Sequence, residues 1–518
     1  MSRPVWGLPA SCLLLLTSTG CYTNHAVINP YSYAPRSPSQ FWTPPDSIHP
    51  MVLSDRPPDL PTQDEPYSLA ELIDIALRNN TFTQLTWAQA REAAASYGQA
   101  QSDLFPQITG SFSYERVRTP TFGTTLTPGS STAASTAFSA GTLAPATVTD
   151  IYYSDWGPQL SVTYLVFDFG TLRATTEASR QALYNADWNH NSMIQNVLQT
   201  IMTDFYNYLY QKQLYRANEA DVATAQLTLD AAELGLRNGV RDVSDYLQAK
   251  TQLLQNQTRW VAQQQNVENA LAQLLTDMGL PANLRIKTQD LPTTLPSSDF
   301  LPPLEELIAI AFQNRPDLLA SEANLKSTEM SLLAAKRDYL PKLNYTFDLG
   351  KTYFNGGLHD RYNFDSLFSV SMPLFAGFYY KNAVKGAQAT KKQAEEQLRN
   401  NQLNVIQQVT TFHFNVRVAF ETLQFATAFL NAAEEQYTVA LNQYQHGVNT
   451  ILDVVSAQSS LVDARASQAQ AIQQWYDSLA NIAYATGLLS PTQLPTTIEA
   501  EGFQPQNRYM IKYSEGSE

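Results

Sequence analysis

Cysteine is almost missing from this 518-residue chain, which has only Cys12 and Cys21. Two thiols near the start cannot staple a fold of this size, so stability has to come from packing. Charge is sparse too, at 15% of residues, which is low for a water-soluble domain. Even so, no stretch approaches the roughly 18 consecutive apolar residues that a membrane-spanning helix needs. A chain of this kind can cross a bilayer only as a closed β-barrel. Proline is absent from residues 159–280 and again from 374–490. Both stretches are therefore free to be long helix, interrupted only where glycine permits. Basic residues number 33 against 47 acidic ones, a net charge of −14, and such a balance argues against nucleic acid or anionic lipid as a partner of the surface as a whole.

What the chain does contain is two copies of one unit. "ELIDIALRNN" at 71–80 matches "ELIAIAFQNR" at 306–315, an offset of 235 that continues through Phe105-Pro106 and Leu340-Pro341 to Phe112 and Phe347. Beyond that point the offset becomes 208. It pairs Phe167 with Phe375 and Gly239 with Gly447, and ends at Gly279-Leu280 and Gly487-Leu488. The 27 surplus residues of the first copy are expected to form a longer Thr/Ser/Ala/Gly-rich loop across 120–150. The domain plan is then a signal at 1–20, a Pro-rich extended segment at 21–66, repeat 1 at 67–280, a linker at 281–303, repeat 2 at 304–490 and a tail at 491–518.

Each copy carries two short alternating segments ahead of its longest proline-free stretch. In "QITGSFSYER", Ile108, Phe112 and Tyr114 fall on one face, and Gln107, Thr109, Ser111, Ser113 and Glu115 fall on the other. Strands are expected at about 107–117, 158–168, 342–354 and 362–373, the dyad pattern of a membrane barrel. Four strands cannot close such a barrel, so more than one chain is required. Residues 171–234 reach about 96 Å as one α-helix, and residues 242–278 with 81–103 come to nearly the same length in two pieces. The second copy repeats this with 379–444 against 452–486 and 317–338. Each copy thus reads as a long helix flanked by two shorter ones stacked end to end. Sevenfold spacing of Leu247, Leu254, Val261 and Leu275, broken at Glu268, and of Val455, Val462, Ala469, Tyr476 and Ala483, marks a packing seam on both returning helices. Gly239 and Gly447 sit where each long helix must reverse, and a tight helix-to-helix turn needs a residue that tolerates positive φ.

The start has the layout of an export signal: Arg3, a short apolar core and "TSTGC" ending at Cys21. Small residues before a cysteine suggest a lipoprotein signal, with Cys21 acylated (a palmitate-type anchor) as the mature N-terminus. The alternatives are simple cleavage or no processing.

Taken in order and twice over, several motifs resemble the TolC-like outer-membrane efflux proteins. They are "ALRNN" and "AFQNRPDLL", "LFP" and "YLP" leading into the strands, "FDFG" and "FAGF" leading out, and "RNGVRDVSDYL" and "QHGVNTILDVV" at the turns. The resemblance covers residues 67–490 and implies a homotrimer, its four strands per chain closing a 12-stranded transmembrane β-barrel above a mainly α tunnel of long coiled-coil-like hairpins. It also implies a passive exit duct in the outer membrane of a Gram-negative bacterium, extending into the periplasm in contact with outer-membrane lipid. Its partners would be a periplasmic adaptor (membrane fusion) protein and an inner-membrane pump of the resistance-nodulation-division type, as in multidrug efflux. Type I protein secretion is the alternative use of the same duct. By position, Gly239, Asp245, Tyr444, Gly447 and Asp453 form the periplasmic tip and adaptor contact. Relatives with a charged lock place Arg two residues after the second glycine and an acid three after the aspartate, whereas this chain has Asn449 and Ser456. Asp245 and Asp453 can equally be a tunnel-lining acidic ring or simple helix caps.

Two other classes compete. An enzyme is disfavoured: His25, His49, His190, His359, His413 and His446 are scattered without metal-ligand spacing, no phosphate loop or nucleophile elbow occurs, and no cofactor or metal is implied. A soluble exported helical scaffold explains the helices but leaves the aromatic, alternating strand pairs without a role.

Overall fold

The computed structural model describes residues 66–123, 147–290, 301–355 and 360–489, all of them within one compact unit. The expected signal, Cys21, residues 22–65, part of the linker and the tail lie outside the described residues. The elements are α1 (Leu69–Asn79), α2 (Thr81–Ser102), β1 (Gln107–Gly123), β2 (Thr147–Phe167), α3 (Thr171–Arg237) and α4 (Val243–Asp277), followed by α5 (Leu304–Asn314), α6 (Pro316–Arg337), β3 (Lys342–Asn355), β4 (Arg361–Ser371), α7 (Tyr379–Gln445) and α8 (Ile451–Ala485). The long helices α3 and α7 have 67 residues each, about 100 Å of uninterrupted rise.

The strands form one antiparallel sheet in the order β1-β2-β3-β4, so β1 and β4 are open edges. One expectation needs correction. Much of the surplus in repeat 1 is strand rather than loop: β1 runs to Gly123 and β2 starts at Thr147, giving 17 and 21 residues against 14 and 11 in β3 and β4. The physical reason is composition, since "TVTDIYY" is rich in β-branched and aromatic residues and continues the ladder from Gly123 opposite Thr147.

The helices form a layer four wide at two levels. Near the sheet the order is α2, α3, α6, α7; farther away it is α4, α3, α8, α7. Only α3 and α7 run through both levels. At the junction the short helices meet end to end. Asn80 caps α2 by accepting from the Phe82 and Thr83 N–H groups at 2.8 and 3.2 Å, and its Nδ2 donates to the Asp277 carbonyl at the end of α4, at 2.7 Å. In the second repeat, the buried Arg315 guanidinium pairs with Asp317 at 2.7 Å and donates to the Ala485 carbonyl at 3.3 Å. Gly279 (φ +77°) and Gly487 (φ +72°) allow this approach, because a Cβ on Gly279 would lie 2.4 Å from the Asn79 carbonyl oxygen. The main core surrounds this junction, with Leu72, Leu198, Ile201, Leu274, Val409 and Trp475 among its members. A second core toward the turns is alanine-rich, as in Ala225, Ala232, Ala249, Ala440 and Ala457, which brings the backbones close.

The sevenfold seam holds in α8, whereas in α4 it is buried only at Leu275, near the junction. Val462, Ala469 and Tyr476 of α8 are buried. Leu247, Leu254 and Val261 of α4 are 54%, 53% and 63% exposed, and α4 instead buries Ala249, Leu253, Asn256 and Gln263. The cause is position: α8 lies between α3 and α7, whereas α4 forms an outer edge of the layer.

Candidate functional site: the double-hairpin tip

Both hairpins reverse at the end of the unit farthest from the sheet. Gly239 (φ +73°) and Gly447 (φ +82°) terminate α3 and α7, and a Cβ at either would meet nothing within 4 Å, so the demand is purely on the backbone. The closing bonds match. Val240 N–H donates to the Gly235 carbonyl at 3.0 Å and Val448 N–H to the Gln443 carbonyl at 2.8 Å, the six-to-one pattern that satisfies a helix end. The returning helices are capped differently. Asp242 caps α4 through the Val243 N–H, whereas Thr450 and Asp453 form a capping box on α8, with Asp453 Oδ2 accepting from the Thr450 N–H at 3.0 Å and its hydroxyl at 2.7 Å. Those two bonds hold the exposed Asp453 carboxyl below the usual carboxylate range.

Asp245 is used otherwise. It occupies the place equivalent to Asp453, yet its Oδ2 accepts from the Tyr444 hydroxyl at 3.2 Å, joining the first hairpin to the second. Tyr444 is buried at 2% exposure. Burial, with the Asp245 carboxylate adding to it, pushes its phenol up to about 12, so the hydroxyl stays a donor at any physiological pH.

A residue that sequence reasoning passed over completes the clasp. The guanidinium of Arg241 stacks 4.3 Å from the centre of the Tyr444 ring and donates to the Tyr444 and Asn449 carbonyls at 2.9 and 3.0 Å. Its side chain folds back over Gly235, where a Cβ would sit 2.6 Å from Arg241 Cγ. The signal was available. Arg241 stands two residues after Gly239, the place that Asn449 holds after Gly447, so the cation is in the first repeat instead of the second. The tip also exposes Val240, Val448 and Leu452. An open groove of about 520 Å³ runs between α7 and α8, lined by residues including Glu435, Val439, Gln443, Asn449 and Asp453.

A second cluster missed from sequence is the carboxylate group of Asp204 (α3), Asp277 (α4) and Asp477 (α8). Burial, reinforced by Asp277 and Asp477, raises Asp204 to about 8, and burial raises Asp477 to about 7. Asp204 and Asp477 have no equivalents under the 208-residue offset, where Phe412 and Asn269 stand, so no repeat signal points to them. Among the described residues no group of three His, Cys, Asp or Glu side chains is arranged to hold a metal ion, and no helix is long and apolar enough to cross a membrane.

An open, one-sided apolar sheet continued by a two-level layer of helices and ending in paired turns is the protomer of a barrel-and-tunnel channel. A family profile described as outer membrane efflux protein matches residues 72–280 and 307–488, and the chain belongs to that family. Among its relatives, outer membrane protein TolC of Escherichia coli (strain K12) is 22% identical over 371 residues, 67% of this chain and 74% of that one. The pyoverdine export outer membrane protein OpmQ of Pseudomonas putida is 22% identical over 426 residues, 78% of this chain and 82% of that one. The solved Campylobacter jejuni CmeC outer membrane channel shares the fold with a TM-score of 0.67 at 19% identity, covering 81% of this chain and 85% of that one.

Proposed function

We propose that three copies of this chain close a 12-stranded outer-membrane barrel over a periplasmic helical tunnel, a passive duct for substrates that an inner-membrane pump of the resistance-nodulation-division type delivers through a periplasmic adaptor. The observation that carries this reading is the sheet with two unpaired edges. Ile108, Phe112, Phe364, Phe368 and Val370 project from its apolar face at 65–76% exposure. Such a surface is tolerable in water for neither edge nor face, and joining copies edge to edge in lipid satisfies both. Open stripes on the outer helices fit the same assembly. Leu247, Leu254 and Val261 line α4, and Phe414, Val418 and Phe425 line α7 at 52–73% exposure.

Gly239, Asp245, Tyr444, Gly447 and Asp453, together with Arg241, form the adaptor-facing tip, and the exposed valines and the α7–α8 groove offer the adaptor an apolar seat. An acyl anchor on Cys21 tethers the chain to the inner leaflet of the outer membrane. The small-molecule use is favoured over protein secretion by relatives such as OpmQ, which is named for pyoverdine export. The test replaces Gly447 with Trp. The variant is expected to insert as a heat-resistant trimer while its strain loses drug tolerance, as read by minimum inhibitory concentrations. Undiminished tolerance would overturn the reading.

A further inference from the structure

Charge on the sheet is distributed unequally between its faces. On the polar face Glu115 lies opposite Asp155 and Asp348 opposite Asp365. The described cations of that face are Arg361 and Lys342, and Lys342 is held by Asp338 at the base. Like charges directly opposed across strands are unfavourable, so these acids are not there to stabilise the sheet. On the apolar face the described cations are Arg116, Arg118 and Lys351, and the register adds one acid, Asp150, opposite Pro120 beyond them. A solvated sheet has no reason to divide its charges this way.

The placement of these cations is as specific as their sign. Tyr114, Trp156 and Tyr353 form one row across β1, β2 and β3, with Trp156 and Tyr353 stacked at 6.2 Å between ring centres. Arg116 lies two residues beyond this row, away from the helices. Lys351 lies two residues short of it, its ammonium 4.6 Å from the centre of the Tyr353 ring and 5.0 Å from that of Tyr362. From Gln107 to Arg116 the strand rises about 30 Å along its own axis, which a tilt of roughly 40° reduces to nearly the 25 Å height of a barrel's apolar band. At the opposite limit of that band stand Phe105, Phe167, Phe375 and Phe378, all exposed. The two aromatic levels are therefore the two interfaces, and the described cations of the apolar face all lie at the one farther from the helices. Among the described residues neither Arg116 nor Lys351 has an ion-pair partner. In a lipid-facing position a cation without a carboxylate is costly unless a headgroup supplies the counter-charge.

We propose that Arg116 and Lys351, flanking the Tyr114–Trp156–Tyr353 row and joined by Tyr362, form a seat on the outer rim of the barrel for a lipid headgroup bearing phosphate monoesters. The two cations are two strands apart, about 10 Å, and four residues apart, about 13 Å along the strand. This spread suits a headgroup with two phosphates better than one with a single phosphate. Their aromatic neighbours pack the sugar or glycerol portion and keep the ammonium oriented. The proposal rests on the barrel reading above.

The test uses the purified full-length trimer in detergent, incubated with diphosphoryl lipid A or with phosphatidylethanolamine and read by native mass spectrometry. Diphosphoryl lipid A is expected to remain bound to the wild-type trimer, and the Arg116→Gln/Lys351→Gln double variant to lose about tenfold or more of that retention. Heat-resistant trimer and single-channel conductance should stay unchanged in the variant. Equal retention by the double variant, equal retention of phosphatidylethanolamine, or full displacement by 10 mM inorganic phosphate would overturn the seat. Failure of the wild-type protein to form a conducting trimer would instead strike at the channel reading itself.

Discussion

The two returning helices, α4 and α8, have the same length of 35 residues and the same sevenfold pattern, yet they live in different surroundings. Helix α8 is wedged between α3 and α7 and buries its seam, with Ala464 and Ala469 nearly inaccessible; α4 buries Leu275 but shows Leu247, Leu254 and Val261 to the outside. The long helices divide likewise. Asp221 of α3 is buried against Arg465 of α8 at 2.5 Å, while the equivalent place on α7 is Phe429, 44% exposed. Burial raises the Asp221 pKa against the pull of Arg465, a cost accepted only inside the layer. Duplication therefore supplied two similar hairpins, and neighbourhood decided which seam became core and which became an outward surface. A pattern of apolar residues states that something covers a face; it does not state whether the cover is the same chain or another copy.

The sharpest way to break this comparison is to place one charge on each seam. Ala469→Asp puts an unpaired carboxylate in the interior, and loss of the folded state, a penalty of about 4–5 kcal/mol, is expected in thermal unfolding. Leu254→Asp should leave the unfolding of the single chain nearly unchanged and abolish the trimer on size-exclusion chromatography. If Leu254→Asp unfolds the protomer, the division of roles is wrong.

A smaller effect separates the two kinds of glycine. Gly279→Ala faces both positive φ and the Asn79 carbonyl, so about 3 kcal/mol is expected in denaturant unfolding; Gly239→Ala faces positive φ alone, and about 1 kcal/mol is expected. Equal costs would show that the stacked junction yields.

The smallest effect concerns Asp204, whose folded pKa of about 8 lies well above the ordinary carboxylate value of 3.8. The folded state then holds a proton that the unfolded state releases, so the contribution of Asp204 to stability is fullest below about pH 4 and falls as pH rises toward 8. Asp204→Asn should flatten that slope and raise stability by about 1–2 kcal/mol at pH 8, after allowance for solvent screening. An unaltered pH profile of the melting temperature would remove Asp204 from the account.

Much of the architecture was legible because its causes are local. Missing prolines fixed the extent of the helices, alternation in "QITGSFSYER" fixed the faces of β1, and the paired glycines fixed both turns. The tip was legible in part. Gly239, Gly447 and the capping role of Asp453 follow from backbone demands that sequence reveals, whereas Asp242 and Thr450 were passed over and the Asp245–Tyr444–Arg241 clasp joins residues about 200 positions apart. Asp453 and Asp245 look interchangeable in sequence, and only their neighbours, Thr450 in one case and Tyr444 in the other, give them different work. The Asp204, Asp277 and Asp477 group lay beyond reach for the same reason: three acids on three helices share no period.

Where α2 gives way to α4, and α6 to α8, the wall exchanges half its staves at mid-height. Torque applied at the turns can therefore reach the sheet directly only along α3 and α7, and the joints secured by Asn80 and Arg315 must take up the remainder.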